Sequence, residues 1–447
     1  LATDFVEDSG LPRTKLTYEP LIEAEGYGIS PLDMQSVTNG ILKWQHDQFT
    51  ITENEHFELI HWLDALYGHI VHKQPWSKEE ALEACVDTKA SGFPYCKLYG
   101  PYKGQVKKHM TYDDLENDFI NYSQLFTVTL KDECRKQGKD SRLFVPANMS
   151  MVVVGNRLFG AQNEAIAQCS EDYPIKIGLQ SPGAGACKLW REFYNAKGLC
   201  YQSDGAANDA HFSLAIARVI RDFRSKHLPA ELRKLVNRYY DMAYCMKANA
   251  RGAVVNLFGQ PTGHTNTASD NSFGYLLICM LHAMRNGMNF EEFKEVHLAI
   301  MGDDMMWRTE NRLFSPLELE KTFNSVGMYL ESPNDGSTFD TLTFCGMHPI
   351  VREVLGVKYL LYHYGEEKLL NSMNFIKKTM TPAQRLLKLM SITTLMFGKK
   401  ETFDKLKEVV FLYASNNSDS LTKSDTSCLG FLNELAQLRL HTSLESS

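Results

Sequence analysis

Two aspartate clusters, each at the end of a short apolar run, constrain this chain more than any other feature of its sequence. Met301-Gly302-Asp303-Asp304 interrupts residues 296–308, where apolar stretches flank a Gly-Asp turn in the pattern of a β-hairpin. Upstream, Asp204 closes the apolar run 199–203, and Asp209 follows five residues later. Strand ends that carry both clusters would present the carboxylates together at the open end of a sheet. Hard carboxylate oxygens gathered in this way suit two Mg²⁺ ions, with Mn²⁺ as a substitute. Such a pair serves nucleotidyl transfer, activating an attacking 3′ hydroxyl and stabilising charge on the phosphorane and the leaving pyrophosphate. A Gly-Asp-Asp triplet alone is a weak signal, so the weight falls on what accompanies it.

Behind the first cluster, Phe212, Ala215, Ile216, Val219 and Phe223 recur every three to four residues, which predicts a helix. Asp209 stands at its start, where an acid also simply complements the helix dipole. A second long helix is expected over 265–285, after the turn Gln260-Pro261-Thr262-Gly263. In it Thr267 and Asn271 are four residues apart and share a face, while Gly263 supplies a bend ahead of it. A Thr/Asn stripe on an otherwise apolar helix requires a polar partner when buried. Asp209 together with Asn271 would read a ribose 2′ hydroxyl. His264 and His282 are expected as ordinary helix residues, since neither belongs to a metal-spaced set. Strand, helix, helix and hairpin in that order imply an α+β palm rather than a doubly wound sheet. Elsewhere, residues 56–71 are expected to be helical, 126–130 a strand, 415–419 an exposed loop, and the chain beyond about 350 mostly helical.

A chain of 447 residues accommodates two or three subdomains, and no repeat or low-complexity tract divides it. The net charge of −7 argues against a protein that coats its surface with nucleic acid. It leaves room for an internal channel, where only local charge matters. Local charge is uneven: Lys97, Lys103, Lys107 and Lys108 share a stretch without acids, and residues 131–142 carry five cations against three acids. Ten scattered cysteines without a C-x-x-C pair imply reduced thiols rather than disulfides or a zinc site. The longest apolar stretch, residues 272–284, is broken by Gly274 and His282 and is too short to span a bilayer. Leu1 is neither a start methionine nor the head of a signal segment, so the chain is expected to be either an excised segment or a piece released from a longer precursor, and the sequence leaves open whether Leu1 is a natural processed terminus.

Taken in order, these segments resemble the RNA-dependent RNA polymerases of positive-strand RNA viruses, most closely the picornavirus-like group. Asp204 to Asp209 looks like that family's motif A, Thr262 to Asn271 like motif B, and Gly302-Asp303-Asp304 like motif C. Lys131-Asp132-Glu133-Cys134-Arg135 with Lys139-Asp140-Ser141-Arg142 resembles motif F, whose cations line the nucleotide channel. Thr88 to Tyr95, with Ser91-Gly92 at its centre, resembles the template-channel motif G, and Phe344-Cys345-Gly346 is similar to the primer-gripping turn of motif E. The resemblance spans roughly residues 85–350.

The resemblance implies a right hand with fingers over 1–195, palm over 196–225 and 256–350, a fingers insertion at 226–255, and a helical thumb over 351–447. Asp204, Asp303 and Asp304 would be the catalytic metal ligands. Asp209, Thr267 and Asn271 would check the sugar, and Lys131, Arg135, Lys139 and Arg142 would neutralise the triphosphate. Ser91, Gly92, Thr262, Gly263, Cys345 and Gly346 would meet RNA. Template and nascent RNA, ribonucleoside triphosphates, a protein primer and other viral replication proteins are the implied partners. The implied location is the host cytoplasm within replication complexes, reaching membranes only through those partners. Initiation stays open between a protein primer and an unprimed start.

Two positions depart from the family pattern. Motif B opens with Thr262-Gly263 where Ser-Gly is usual, which keeps the hydroxyl. Residues 332–337 lack the lysine that motif D often supplies to protonate pyrophosphate, so that role has no assigned residue. The alternatives are a reverse transcriptase, an RNA-binding palm without catalysis, and a two-metal phosphatase or nuclease. A bulky residue near position 209 would mark the first and loss of a metal carboxylate the second. The third has no use for the sugar pair or the basic segment.

Overall fold

In the computed structural model, residues 15–45, 49–122, 124–180, 184–250, 252–331, 338–354 and 357–444 are described. The central sheet is four-stranded and antiparallel, in the order His297–Met301, Asp304–Thr309, Leu199–Gly205, Leu330–Glu331. The hairpin expected over 296–308 forms, with Met301 paired to Asp304 across a turn whose Gly302 has φ +67°. That left-handed backbone is open to glycine at little cost. Met305 pairs with Ser203, which brings the end of the Gly-Asp-Asp strand beside the end of the Asp204 strand. Burial alternates weakly here because helices cover the sheet: Ala299, Ile300, Met305, Met306 and Trp307 are all buried.

Helix Thr267–Arg285 packs on this sheet through His297–Met301, with Glu53–Val71, Leu214–Lys226 and Pro316–Ser325 around it. Its residues from Ser269 to Ala283 are buried on every side, which marks a core helix rather than an amphipathic surface one. Each fully buried Leu, Ile, Met or Phe in that run contributes roughly 1.5–3 kcal/mol relative to exposure. Helix Glu53–Val71 starts with a reciprocal capping box between Thr52 and Glu55, which stops it fraying into the preceding loop.

The basic segment is pinned by short strands. Cys134–Lys136 pairs with Tyr27–Ile29, and Thr129–Leu130 pairs with Leu143–Phe144. The strand expected over 126–130 divides at Val128, whose N–H turns to Asn249: Leu125–Thr127 joins Cys245–Ala250 in parallel, while Thr129–Leu130 serves the basic segment. The N-terminal strand Leu16–Tyr18 pairs with Phe375–Lys377, so one stretch of chain ties the basic segment to the C-terminal unit. Lys136 and Glu367 add an ion pair of 3.4 Å across the same junction.

The C-terminal unit has its own core, built by Leu386, Leu389, Phe403, Leu406, Val410 and Leu432 from helices Pro382–Leu395, Lys400–Asn416 and Leu429–Leu444. It is less uniformly helical than expected. Met347–Val354 and Val357–Tyr364 form an antiparallel hairpin of eight pairs before the first helix. The run Val-Lys-Tyr-Leu-Leu-Tyr-His-Tyr carries three tyrosines behind a leading valine, residue types that favour a pleated surface. Residues 415–419 are also tighter than a loop, as the preceding helix runs to Asn416 and a 3₁₀ turn covers Ser418–Ser420. All ten cysteines are free. Among the described residues, no helix is long and apolar enough to cross a membrane.

Candidate active site

The acids of the two strand ends share one electrostatic environment. Burial, followed by the charge of Asp204, raises the Asp303 carboxyl to about 7. The same two causes raise Asp304 to about 6, partly offset by hydrogen bonds from Cys345. Asp204 lies at the exposed rim and accepts the Gly205 N–H at 2.8 Å. Partial removal of water, then Glu331 across the strand pair, still raises its carboxyl, while Arg142 and Lys368 pull it down. Acids that raise one another's proton affinity are held against Coulomb repulsion, and a hard cation relieves it better than protons do. The all-oxygen donor chemistry of Asp204, Asp303 and Asp304 therefore fits a divalent metal, although no three His, Cys, Asp or Glu side chains among the described residues are gathered into a finished cage.

Glycine at 205 is required by this junction. A Cβ there would stand 1.9 Å from the Tyr275 hydroxyl and 2.9 Å from the Asp303 Cβ. Gly205→Ala is expected to push the two acid-bearing strands apart. Overpacking of this kind costs about 1–3 kcal/mol, and if it falls on the reacting geometry the rate drops about tenfold or more. Comparing melting temperature and RNA extension by the variant checks this; full activity would show that the strands absorb the methyl without moving the acids.

The sugar-reading set is only partly gathered. Thr262 donates its hydroxyl to Asp209 at 3.0 Å, and the Asn271 side chain also hydrogen bonds Asp209. The Asn271 carbonyl oxygen is buried without a partner. Thr267 is turned away, its hydroxyl donating to the His264 carbonyl at 3.0 Å and contacting that of Pro261 at 3.3 Å, so it braces the turn that precedes the helix. His264 is in that turn rather than in the helix. It is buried against the Tyr239 hydroxyl, and desolvation holds its imidazole down at about 3, which keeps it neutral. His282 is a helix residue as expected, bonded to Thr322 and the Leu313 carbonyl. Gly263, with φ +76° and no atom near its Cβ position, leaves the turn open.

Three of the four expected triphosphate cations converge on one acid. Lys131, Arg135 and Arg142 lie 3.2, 3.7 and 3.4 Å from Glu133. Lys131 and Arg142 also favour the charged form of Asp209, so this cluster faces the sugar site. Lys139 stays at the exposed tip outside the cluster. Ser91 and Gly92 are buried, and a Cβ on Gly92 would meet the Asn148 Cα at 2.6 Å. The space that this glycine leaves is filled by the chain's own backbone. Cys345 and Gly346 take positive φ of 51° and 76° in a tight turn that sets Cys345 against Asp304. The motif D segment, 332–337, lies outside the described residues.

Sequence reasoning passed over Gly205, Glu133, Ser272 and Tyr275. Ser272 accepts the Gly302 N–H at 2.8 Å and so ties the Gly-Asp-Asp turn to the central helix. Extending the Thr267/Asn271 stripe by one more turn would have reached Tyr275, but nothing local marks Ser272 or Glu133.

An α+β palm with acids on adjacent strand ends, closed by a strand that links fingers to a helical thumb, defines a right-hand polymerase. Residues 16–413 match the family described as viral RNA-dependent RNA polymerase, and the chain belongs to that family. It is thus an RNA-directed RNA polymerase. Among solved structures it is similar to the Sicinivirus 3Dpol RNA-dependent RNA polymerase, with a TM-score of 0.75 at 15% identity over 96% of this chain and 97% of that one. The search of curated proteins finds no match.

Proposed function

We propose that this polymerase replicates a viral RNA genome by template-directed addition of ribonucleoside monophosphates to an RNA 3′ end, with release of pyrophosphate. The observation that carries this reading is the strand register that sets the end of the Asp204 strand beside Asp303 and Asp304, where burial raises all three carboxyls. Those three aspartates would hold two Mg²⁺, or Mn²⁺ in its place. When bound, the metal supplies activation of the attacking 3′ hydroxyl and stabilisation of the charge that develops on phosphorus and the leaving group.

The remaining roles belong to the chain's own residues. Lys131, Arg135 and Arg142, gathered by Glu133, and Lys139 at the tip receive the triphosphate, with Arg offering a planar fork and Lys a point charge. Asp209 is oriented by Thr262 and Asn271, and the free Asn271 oxygen faces the ribose 2′ hydroxyl as an acceptor. Thr267 acts through the turn that carries Thr262 and Gly263. Thr262 and Gly263 border the template, and Cys345 and Gly346 border the primer end, while Ser91 and Gly92, packed against Asn148 rather than open to RNA, only brace the loop beside them. The fingers are assigned to 1–195 and 226–255, the palm to 196–225 and 256–350, and the thumb to 351–447. Work in cytoplasmic replication complexes, with a protein primer and other viral proteins as partners, accords with this reading.

Extension of a primed RNA template with separate ribo- and deoxynucleotide sets tests it: elongation with deoxynucleotides alone would overturn it. Asn271→Ala is expected to lower the preference for ribonucleotides by about 5- to 150-fold. That range corresponds to the roughly 1–3 kcal/mol of a buried polar group left unpaired. Unchanged selectivity would reduce Asn271 to packing.

A further inference from the structure

Tyr275 stands one helical turn beyond Asn271 on helix Thr267–Arg285. The residue is fully buried, with its ring held against Phe323 at 5.1 Å, and its hydroxyl has no hydrogen-bond partner. Phenylalanine would fill the same volume without the cost of an orphaned donor. The oxygen also reaches a particular place. The clash distances at Gly205 put it beside the end of the Asp204 strand and close to the Asp303 Cβ, in space that exists only because residue 205 has no side chain. A phenol ionises only at about pH 10, so at neutral pH the hydroxyl keeps its proton and is a donor. A fixed donor among carboxylate acceptors, with no bond made, is arranged for a bond made when those carboxylates turn onto a cation.

We propose that Tyr275 is a positioning residue of the metal site, its hydroxyl donating to the Asp303 carboxylate once a divalent cation is bound. The bond would hold one ligand oxygen in the orientation that the cation needs, as outer-shell partners of metal ligands do. This inference rests on the metal assignment made above.

The test is Mn²⁺ binding to the full chain, followed by electron paramagnetic resonance and by the rise in melting temperature on adding Mn²⁺, for wild type, Tyr275→Phe and Asp303→Ala. Tyr275→Phe is expected to bind Mn²⁺ about tenfold more weakly. Its melting temperature without metal should equal or exceed that of wild type, because the orphaned hydroxyl is gone. Equal Mn²⁺ affinity in Tyr275→Phe and wild type, with Asp303→Ala impaired, would overturn the role of Tyr275 alone. Equal affinity in all three, or no binding by wild type, would overturn the metal assignment and this inference with it.

Discussion

Replacing Asp303 by alanine is expected to abolish extension of a primed RNA template, by at least about 10³-fold, while RNA binding stays close to wild type. A Lewis-acid ion supplies several kcal/mol of transition-state stabilisation, and each 1.4 kcal/mol or so is tenfold in rate. Burial, and then the charge of Asp204, raises the Asp303 carboxyl to about 7. Alanine would remove both a ligand oxygen pair and a charge that helps to concentrate cations there. It would not touch Lys131, Arg135 or Arg142, whose contacts run to Glu133 rather than to the acids of the sheet. A gel assay of primer extension beside a filter-binding measurement of RNA affinity separates the two effects. Near-normal elongation by the variant would refute the assignment of Asp303 as a ligand.

Arg224→Ala should produce the largest loss of stability, about 3–5 kcal/mol, the usual cost of leaving one buried charge without its partner. Arg224 and Asp270 are both fully buried, with Arg224 Nη2 2.8 Å and Nε 2.9 Å from Asp270 Oδ1. The other donors of the guanidinium go to Gln162, Asn163 and Ser269, while Tyr240 and Tyr244 donate to the second Asp270 oxygen. The guanidinium also lies 5.4 and 5.3 Å from the rings of Phe159 and Phe273. Lysine can place a charge there but cannot reproduce the planar fork, so Arg224→Lys is expected to recover only part of the stability. Because Asp270 precedes Asn271 on the helix, loosening the network should also blur ribose selection. Thermal unfolding of both variants checks the magnitude, and a melting temperature within a degree or so of wild type would show that water repairs the gap.

Much of the active-site frame was legible in the sequence because it is local. The Gly302-Asp303-Asp304 turn and its hairpin follow from short apolar runs on either side of a glycine that accepts positive φ. The helix after Asp209 follows from its three-to-four spacing, although a separate short turn, Asn208–His211, intervenes before the long helix begins at Leu214. The hairpin of Met347–Val354 and Val357–Tyr364 was also locally legible, through its β-branched and aromatic residues, and was missed by extending a helical reading across the whole C-terminal unit. The grouping of Lys131, Arg135 and Arg142 on Glu133 was a different matter. Their charges were evident, but an extended strand, a turn or a solvated loop would each have aimed them differently.

The sequence by itself determined the elements, their order and the presence of acids at strand ends, since hydrophobic period and turn chemistry act over a few neighbouring residues. Only the tertiary structure decided which polar atoms share a site. It set Glu331 beside Asp204, Ser272 under Gly302, Thr262 on Asp209, and the unpaired Tyr275 hydroxyl against Gly205. It also closed Gly92 against Asn148 and turned Thr267 back onto its own loop. Desolvation and Coulomb interaction depend on distances through space, and here those distances join segments far apart along the chain, where no local pattern records them.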